Sequence, residues 1–140
     1  MLIMTTCQDM LDKLERLDLP KAMAQAVADT DDDIAALQRG QMFKGVRSDD
    51  SIMPNYAPIS VTQYGKPPGP IKLFDTGAFY AGIKVDVRQD IFIIDSSDPK
   101  STMLKRRYGG NIFGLGTAAT QAYLLTLEPV FIQTVKNDLL

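Results

Sequence analysis

The sequence predicts a small α+β domain in which a curved antiparallel sheet packs on helices. Apolar residues recur at helical spacing near both ends of the chain. Between them, two short apolar-rich runs flank a polar pair and predict a β-hairpin. The chain has 140 residues, enough for one hydrophobic core but short for two. We therefore expect a single domain, 1–140, with a helical N-terminal part (1–40), a long Pro-rich arm (41–72), and a sheet followed by a C-terminal helix (73–140).

The N-terminal part predicts two helices. Thr6 and Asp9 have the spacing of a capping box, and a helical run of apolar residues follows them. Asp18 is placed to cap the second helix and Gly40 to end it. The apolar stripe of the second helix keeps its phase through residues 29–33, which predicts an unbroken helix with most aspartates of this run on a solvated face. A calcium loop needs a central glycine and a distal glutamate, and this run has neither.

The arm, residues 41–72, is rich in proline and glycine, so most of it fits neither a helix nor a central strand. Only Ile59 to Tyr64 is compatible with a short strand. The arm nevertheless holds more apolar residues than a flexible linker needs. We interpret it as an extended segment that lies on a neighbouring subunit, with simple disorder as the alternative. The predicted interface residues of the arm are Tyr56, Ile59, Val61 and Tyr64.

One hairpin and several tight turns are predicted in the second half. Residues 83–87 alternate between apolar and charged side chains, and residues 91–94 are all apolar. The second strand should therefore be the more deeply buried. Gln89-Asp90 forms the tight turn between the strands, and a glycine turn within residues 73–80 leads straight into the first strand. The predicted structural turn residues are Asp75, Thr76, Gly77, Gly109 and Gly114.

The C-terminal third predicts two further helices. Residues 101–108 form a short basic helix that Gly109-Gly110 ends. Thr117 is placed to cap a last, longer helix. Pro129 falls inside that helix and should kink it or split it in two.

The composition narrows the functional classes. The chain has no histidine, no tryptophan and a single cysteine, Cys7, so it cannot form an internal disulfide, and most catalytic and metal-binding patterns are missing. Its net charge of −2 does not call for nucleic acid or an anionic membrane as a partner. No apolar run approaches the roughly 18 residues that a membrane span requires. We expect a protein made inside the cell, with no cofactor, no metal and no membrane association.

Three motifs invite a chemical interpretation. Asp75-Thr76-Gly77 has the form of an aspartic-peptidase motif, which would need a second copy supplied by a dimer. Residues 109–116 are rich in glycine but lack the lysine of a phosphate-binding loop, so a turn and a helix start explain them better. A basic cluster is better explained by a solvated helix face, or by ion pairs with residues 29–33 of a neighbouring subunit, than by phosphate contacts. Its residues are Lys100, Lys105, Arg106 and Arg107, and the last three are predicted interface residues. Because no nucleophile, base and orienting group come together, we do not expect an enzyme.

Several segments, taken in order, resemble the head–tail connector and tail-completion proteins of tailed bacteriophages, which are small minor-capsid or virion-morphogenesis proteins. Residues 73–83 are similar to that family's Leu, Thr-Gly and Ile entry to its sheet, and the hairpin as far as residues 95–98 follows. Tyr108-Gly109 and residues 112–117 are similar to the family's Tyr-Gly and Gly-Leu-Ser/Thr junction before the terminal helix. Residues 56–60 resemble an arm in relatives encoded by phages and prophages.

The resemblance covers roughly residues 35–140 and implies a structural role. Such proteins are small α+β subunits that assemble as homo-oligomeric rings at the neck between portal and tail, in the virion after assembly in the host cytoplasm. The implied partners are portal or adaptor proteins and tail proteins, with DNA at most bound non-specifically in the ring lumen. Ring subunits meet through heterologous, head-to-tail contacts. Two alternatives stay open: a small oligomeric protein-binding module and, with less support, a dimeric aspartic peptidase.

Overall fold

The computed structural model describes residues 6–75 and 77–140, so the predicted turn residue Thr76 lies outside the described residues. The fold is mixed α+β with a helical N-terminus and a C-terminal helix, which confirms the predicted class. Within the described ranges, a two-stranded antiparallel sheet accompanies the helices. The helices are α1 (Cys7–Arg16), α2 (Leu19–Asp29), α3 (Asp31–Phe43), α4 (Pro58–Tyr64), α5 (Ala78–Ala81), α6 (Ser101–Tyr108) and α7 (Thr117–Leu139). The strands are β1 (Ile83–Val87) and β2 (Phe92–Ser96).

Both predicted helix starts near the N-terminus are confirmed. The Thr6 hydroxyl accepts a hydrogen bond from the Asp9 N–H at 3.1 Å, and the Asp9 carboxylate accepts the Thr6 N–H at 3.2 Å, which completes the capping box. Asp18 caps α2 by accepting the Lys21 N–H at 3.1 Å. These side chains satisfy backbone donors that have no partner inside the helix.

The predicted unbroken second helix is wrong, because the chain breaks at Thr30 into α2 and α3. Thr30 is buried, and its hydroxyl donates to the Ala26 carbonyl at 2.8 Å. The Tyr123 hydroxyl lies 2.8 Å from the Thr30 hydroxyl oxygen. A threonine that bonds back to the preceding turn competes with the helical backbone. Residues 31–33 consequently form the acidic first turn of α3, where the helix dipole favours negative charge.

Helices α2 and α3 both lie antiparallel to α7. Near the end of α3, the Gln41 side chain accepts the Gly116 N–H just before α7 begins. At the opposite end, Lys21 of α2 and Asp138 of α7 line the same surface depression. The long C-terminal helix therefore spans the combined length of the two shorter ones.

The predicted hairpin and its tight turn are confirmed. Residues 89–90 form the turn, and Val85 pairs with Ile94 in the antiparallel register. The expectation of a more fully buried second strand is wrong for one of its faces, since Ile94 is buried but Ile93 is 39% exposed. Both strands alternate, because only one face of this small sheet packs on α2 and α3. The glycine turn also does not lead straight into β1, since α5 intervenes.

The arm is not an extended segment, and residues 59–64 do not form a strand. Residues 46–53 fold back on the core, where Met53 is buried. The predicted strand in the arm is wrong: the segment is α4, because Pro58 starts a helix favourably and Gly65 ends it in the left-handed conformation at φ 67°. Asn55 pairs with Pro70 in an antiparallel bridge that closes the base of this segment. We call residues 57–68 the α4 loop.

The start of α7 differs from the prediction, because Gly116 occupies the cap position and Thr117 is the first helical residue. The cap comes instead from Asp50, which is far away in sequence. Its carboxylate accepts hydrogen bonds from the Thr117 N–H, at 2.7 Å, and from the Thr117 hydroxyl. These hydrogen bonds lower the pKa of Asp50. Pro129 does not split α7, which is continuous to Leu139.

Replacing Asp50 with asparagine should flatten the acid limb of the stability profile. The folded-state pKa of Asp50 lies below its usual value of 3.8, so its charge stabilises the fold above that pH and the contribution disappears as the pH falls through the folded-state pKa. Asparagine tolerates the positive φ of 68° at this position, so the change removes mainly the charge. Thermal melts from pH 7 to pH 2 should show a smaller drop in Tm for Asp50→Asn than for the wild type. An equal drop in both proteins would contradict this role.

Candidate interaction surfaces

The Asp-Thr-Gly motif does not have the setting of a peptidase dyad. The side chain of Asp75 is 71% exposed, and its carboxylate oxygens lie 3.5 Å from Lys66 Nζ and 3.9 Å from Lys100 Nζ. A shared proton between two aspartates needs a close second carboxylate, whereas the charged groups beside Asp75 are the ammonium groups of these two lysines. Gly77 has φ of 89°, which confirms the predicted glycine turn. The motif is therefore best explained as a surface turn.

In the glycine-rich segment 109–116, the N–H groups of Gly114 and Gly116 are occupied by side chains of the same chain. Gln38 accepts the Gly114 N–H at 2.8 Å and donates to the Ile112 carbonyl at 3.0 Å. Gln41 accepts the Gly116 N–H at 2.7 Å and donates to the Gly114 carbonyl at 2.7 Å. A phosphate would need these same N–H groups, so the segment serves packing. Gly109 and Gly114, at φ of 97° and 109°, are turn residues as predicted.

The two glutamines are structural residues that the sequence analysis missed. They share a helical face with buried Ile34, at positions i+4 and i+7, and Gln38 is fully buried. A polar residue on a predicted buried stripe is the signal that would have found them, because a buried amide needs partners. Their partners lie more than 70 residues away, so no local pattern identifies them.

The predicted basic cluster is partly neutralised within the chain. Lys105 Nζ lies 3.0 Å from an Asp95 carboxylate oxygen. Burial by itself raises the pKa of Asp95, but hydrogen bonds from Ser101 and Lys105 outweigh it and hold that pKa below its usual range. Arg107 lies 5.4 Å from the ring centroid of Tyr108, and Arg106 is exposed. Only the two arginines remain available for a partner, and ion pairs between this cluster and residues 29–33 of a neighbour stay a prediction.

The α4 loop places the predicted arm residues in two groups. The Tyr56 hydroxyl accepts the Lys72 N–H at 3.0 Å, so this side chain holds the base of the loop rather than a partner. Val61 is half-buried. By contrast, Ile59 is 53% exposed and Tyr64 is 70% exposed, and no residue of the loop is buried. The loop is thus an exposed helical segment with apolar and aromatic side chains on its surface.

Helix α1 carries its apolar face outward. It is amphipathic, yet none of its residues is buried. Its polar residues Lys13 and Arg16 line a depression shared with α2 and the end of α7, so the charged side of α1 faces its own chain. The exposed apolar residues are Met10 (43%), Leu11 (51%) and Leu14 (49%). An amphipathic helix normally buries its apolar side, whereas here no other part of the described chain covers it.

A second exposed apolar surface is a stripe on α7, which the sequence analysis missed. Its residues have the 4-3-4-3 spacing of a helix seam, and every one of them is exposed. Leu125 is 78% exposed and Ile132 is 44% exposed. A helix that is apolar on both sides is typical of burial on both sides. The outward stripe consists of Ala118, Ala122, Leu125, Pro129 and Ile132.

The N-terminal half of this stripe borders a groove between α3 and α7. The groove has a volume of about 240 Å³, and small residues of both helices contribute to its walls. Gly40, which we expected to end the helix, lies within α3 and faces this groove. Lys44 and Asp50 supply charge at one end. The lining residues on α3 include Ala36, Leu37 and Gly40, and those on α7 include Ala118, Ala119 and Ala122.

Comparisons of this chain with family models, with curated proteins and with solved structures gave no significant match. Within residues 6–75 and 77–140, no helix is both long and apolar enough to cross a bilayer. The same residues contain no group of three or more His, Cys, Asp or Glu side chains placed to hold a metal ion. The functional argument therefore depends on the surfaces described above.

Replacing the α4 loop with a two-residue Asn-Gly turn should leave the fold intact. The two chain segments at its base are already joined by backbone hydrogen bonds. The Tyr56 N–H donates to the Gly69 carbonyl at 3.0 Å, and the Ile71 N–H donates to the Pro54 carbonyl at 2.9 Å. Asn-Gly suits a tight connection between antiparallel segments. Circular dichroism should show cooperative unfolding, with Tm within a few degrees of the wild type. Loss of cooperative unfolding would show that the loop is part of the core.

Proposed function

We propose that this protein is a bacteriophage virion structural protein that forms a ring at the head–tail junction. The observation that carries the proposal is the amount of large apolar surface left uncovered on a chain of this size. Three separate elements expose it: α1, the α4 loop and the outer side of α7. Monomeric proteins seldom expose such surface on several elements, and association with other subunits covers it.

The placement of these surfaces supports a ring better than a two-fold dimer. An isologous dimer buries the same patch from both subunits, whereas a ring needs two different patches that complement each other. The projecting apolar ridge of α1 and the groove beside α7 are different in shape and lie on different elements. Assembly as a ring is also what the resemblance of roughly residues 35–140 to head–tail connector proteins implies.

The site geometry supports a structural rather than a catalytic role. The one candidate catalytic carboxylate, Asp75, is exposed and paired with lysines, and the glycine-rich segment is occupied by Gln38 and Gln41. In the proposed ring, the α4 loop and the exposed arginines of α6 supply contacts to portal-side or tail-side proteins. These partners meet the ring on its two faces, whereas subunits meet at its sides.

Negative-stain electron microscopy of the purified protein tests the proposal. We expect closed rings of uniform diameter with a central opening wide enough for duplex DNA. Compact particles without an opening would favour the alternative of a small oligomeric binding module. Open filaments of variable length would show head-to-tail contacts without closure and would overturn the ring.

A further inference from the structure

We propose that the free edge of β1 pairs antiparallel with the β1 edge of a second copy of this chain, centred on Val85. This two-fold contact goes beyond the proposed ring and does not rest on it, because a ring is built from head-to-tail contacts. The sheet of the described residues has two strands, so β1 has a neighbouring strand on one side only. An open strand edge is a template on which another strand can pair.

The hydrogen bonds of the hairpin show which backbone groups of β1 point to this edge. Next to the turn, the Arg88 N–H donates to the Ile91 carbonyl at 2.8 Å. The bonded pairs of an antiparallel ladder recur at every second residue, so Asp86 and Lys84 are the residues of β1 that bond to β2. The backbone N–H and C=O groups of the residues between them point the other way, toward the free edge.

The open part of the edge is centred on Val85. Val85 and Val87 are half-buried, and in the chain as far as it is described their outward N–H and C=O groups have no hydrogen-bond partner. At the start of the strand, the Arg39 guanidinium donates to the outward Ile83 carbonyl at 3.4 Å. A carbonyl oxygen has two lone pairs, so Ile83 can still accept an N–H from a pairing strand.

The charges on the outer face of β1 select one register. Lys84 and Asp86 are exposed and lie on either side of Val85. When Val85 lies opposite Val85 of the second copy, each Lys84 faces an Asp86. A shift by two residues puts Lys84 opposite Lys84 in one direction and Asp86 opposite Asp86 in the other. Unlike charges directly opposite each other stabilise a strand pair and like charges destabilise it, so the centred register is favoured.

Both charges are available to a second copy. Within its own hairpin Lys84 lies opposite Asp95, but side chains of α6 already hold both oxygens of that carboxylate. Arg88 contacts Asp86 through Oδ2 at 3.2 Å, which leaves Oδ1 for a second cation. The exposed edge is therefore complementary in charge to itself, and this self-complementarity identifies a second copy of the chain as the partner strand.

The pairing should be weak between free subunits. Two edges of five residues each make a small contact, and small interfaces are typical of weak association. We therefore expect free subunits to pair only at high concentration. A covalent cross-link captures such a contact even when it is short-lived.

Disulfide trapping in a Cys7→Ser background tests the register. Facing residues of a non-hydrogen-bonded pair have Cα atoms about 4.5 Å apart, which is within disulfide range. Under mild oxidation, an equal mixture of Lys84→Cys and Asp86→Cys should give at least tenfold more disulfide-linked dimer than either variant alone. Each variant alone faces no thiol in this register. Both side chains are exposed, so the circular dichroism spectra should match that of the wild type.

A mixture of Lys84→Cys and Arg88→Cys is the matched control. These two positions face each other only in a register shifted by two residues, so the yield of dimer should stay at the level of the single variants. Equal yields from the two mixtures would overturn the pairing. Rings in the microscope without dimers from the first mixture would also overturn it and leave the ring standing. Tenfold more dimer from a protein that forms no rings would support the pairing and contradict the ring.

Discussion

Replacing Gln38 with leucine is expected to lower the free energy of unfolding by about 2–4 kcal/mol, because each buried polar group left unpaired costs about 1–3 kcal/mol. Gln38 is fully buried and bridges α3 to the backbone of Ile112 and Gly114. Leucine fills a similar volume but leaves that carbonyl and that N–H without partners. Urea titrations followed by circular dichroism measure the loss. A small domain has only about 5–15 kcal/mol of stability, so the variant should be expressed at low temperature.

The matched control is Gln25→Leu on α2. Gln25 is exposed and bonds only to Asp29 one turn along the same helix. Its replacement should change the free energy of unfolding by less than about 0.5 kcal/mol, as exposed substitutions usually do. If both variants lose the same stability, the hydrogen bonds of Gln38 do not hold the loop before α7.

Replacing Leu14 with aspartate is expected to prevent assembly while the subunit stays folded. Leu14 is 49% exposed in the single chain, so a carboxylate there stays solvated in the monomer. In the proposed ring, a contact with a neighbouring subunit that covers the apolar side of α1 would bury the same carboxylate. An uncompensated buried charge costs about 3–5 kcal/mol, which weakens association by at least about a hundredfold.

Leu124→Asp is the control for this variant. Leu124 lies on α7 away from the outward stripe and is 52% exposed, close to the value for Leu14. Sedimentation velocity over a range of concentrations should show assembly for Leu124→Asp and a monomer for Leu14→Asp, with the same circular dichroism spectrum for both. Assembly of both variants at the wild-type concentration would contradict a role for α1 in the contact.

Local patterns predict much of this fold. The capping residues Thr6 and Asp18 interact with backbone groups three residues away, and the hairpin follows from alternation and a polar turn. The glycine turns at Gly77, Gly109 and Gly114 follow from a residue type that alone adopts positive φ readily. In each case the deciding interaction or conformation lies within a few residues, so sequence spacing is sufficient.

The errors arise where a distant contact decides the local structure. The break at Thr30 involves Tyr123, and the cap of α7 comes from Asp50 rather than from Thr117. The prediction of a strand within the arm was wrong for a different reason. Pro58 was interpreted only as a residue that excludes helix and central strand, although proline also begins helices.

The exposed apolar surfaces were predicted only in part. Ile59 and Tyr64 are exposed and their interface role stays a prediction, whereas Tyr56 is engaged within the chain. The outward stripe of α7 was visible in the sequence as a 4-3 repeat of alanine, leucine, proline and isoleucine. The groove was not, because it depends on how α3 and α7 lie together.

The measurement that tests the central claim most directly is the mass of the wild-type protein in solution, by light scattering coupled to size exclusion at several concentrations. The account predicts one large species whose mass is the same integer multiple of 15.4 kDa at every concentration above the assembly threshold. A closed ring has this property because its last contact leaves no free end. A mass of one or two subunits at every concentration would contradict the proposed ring.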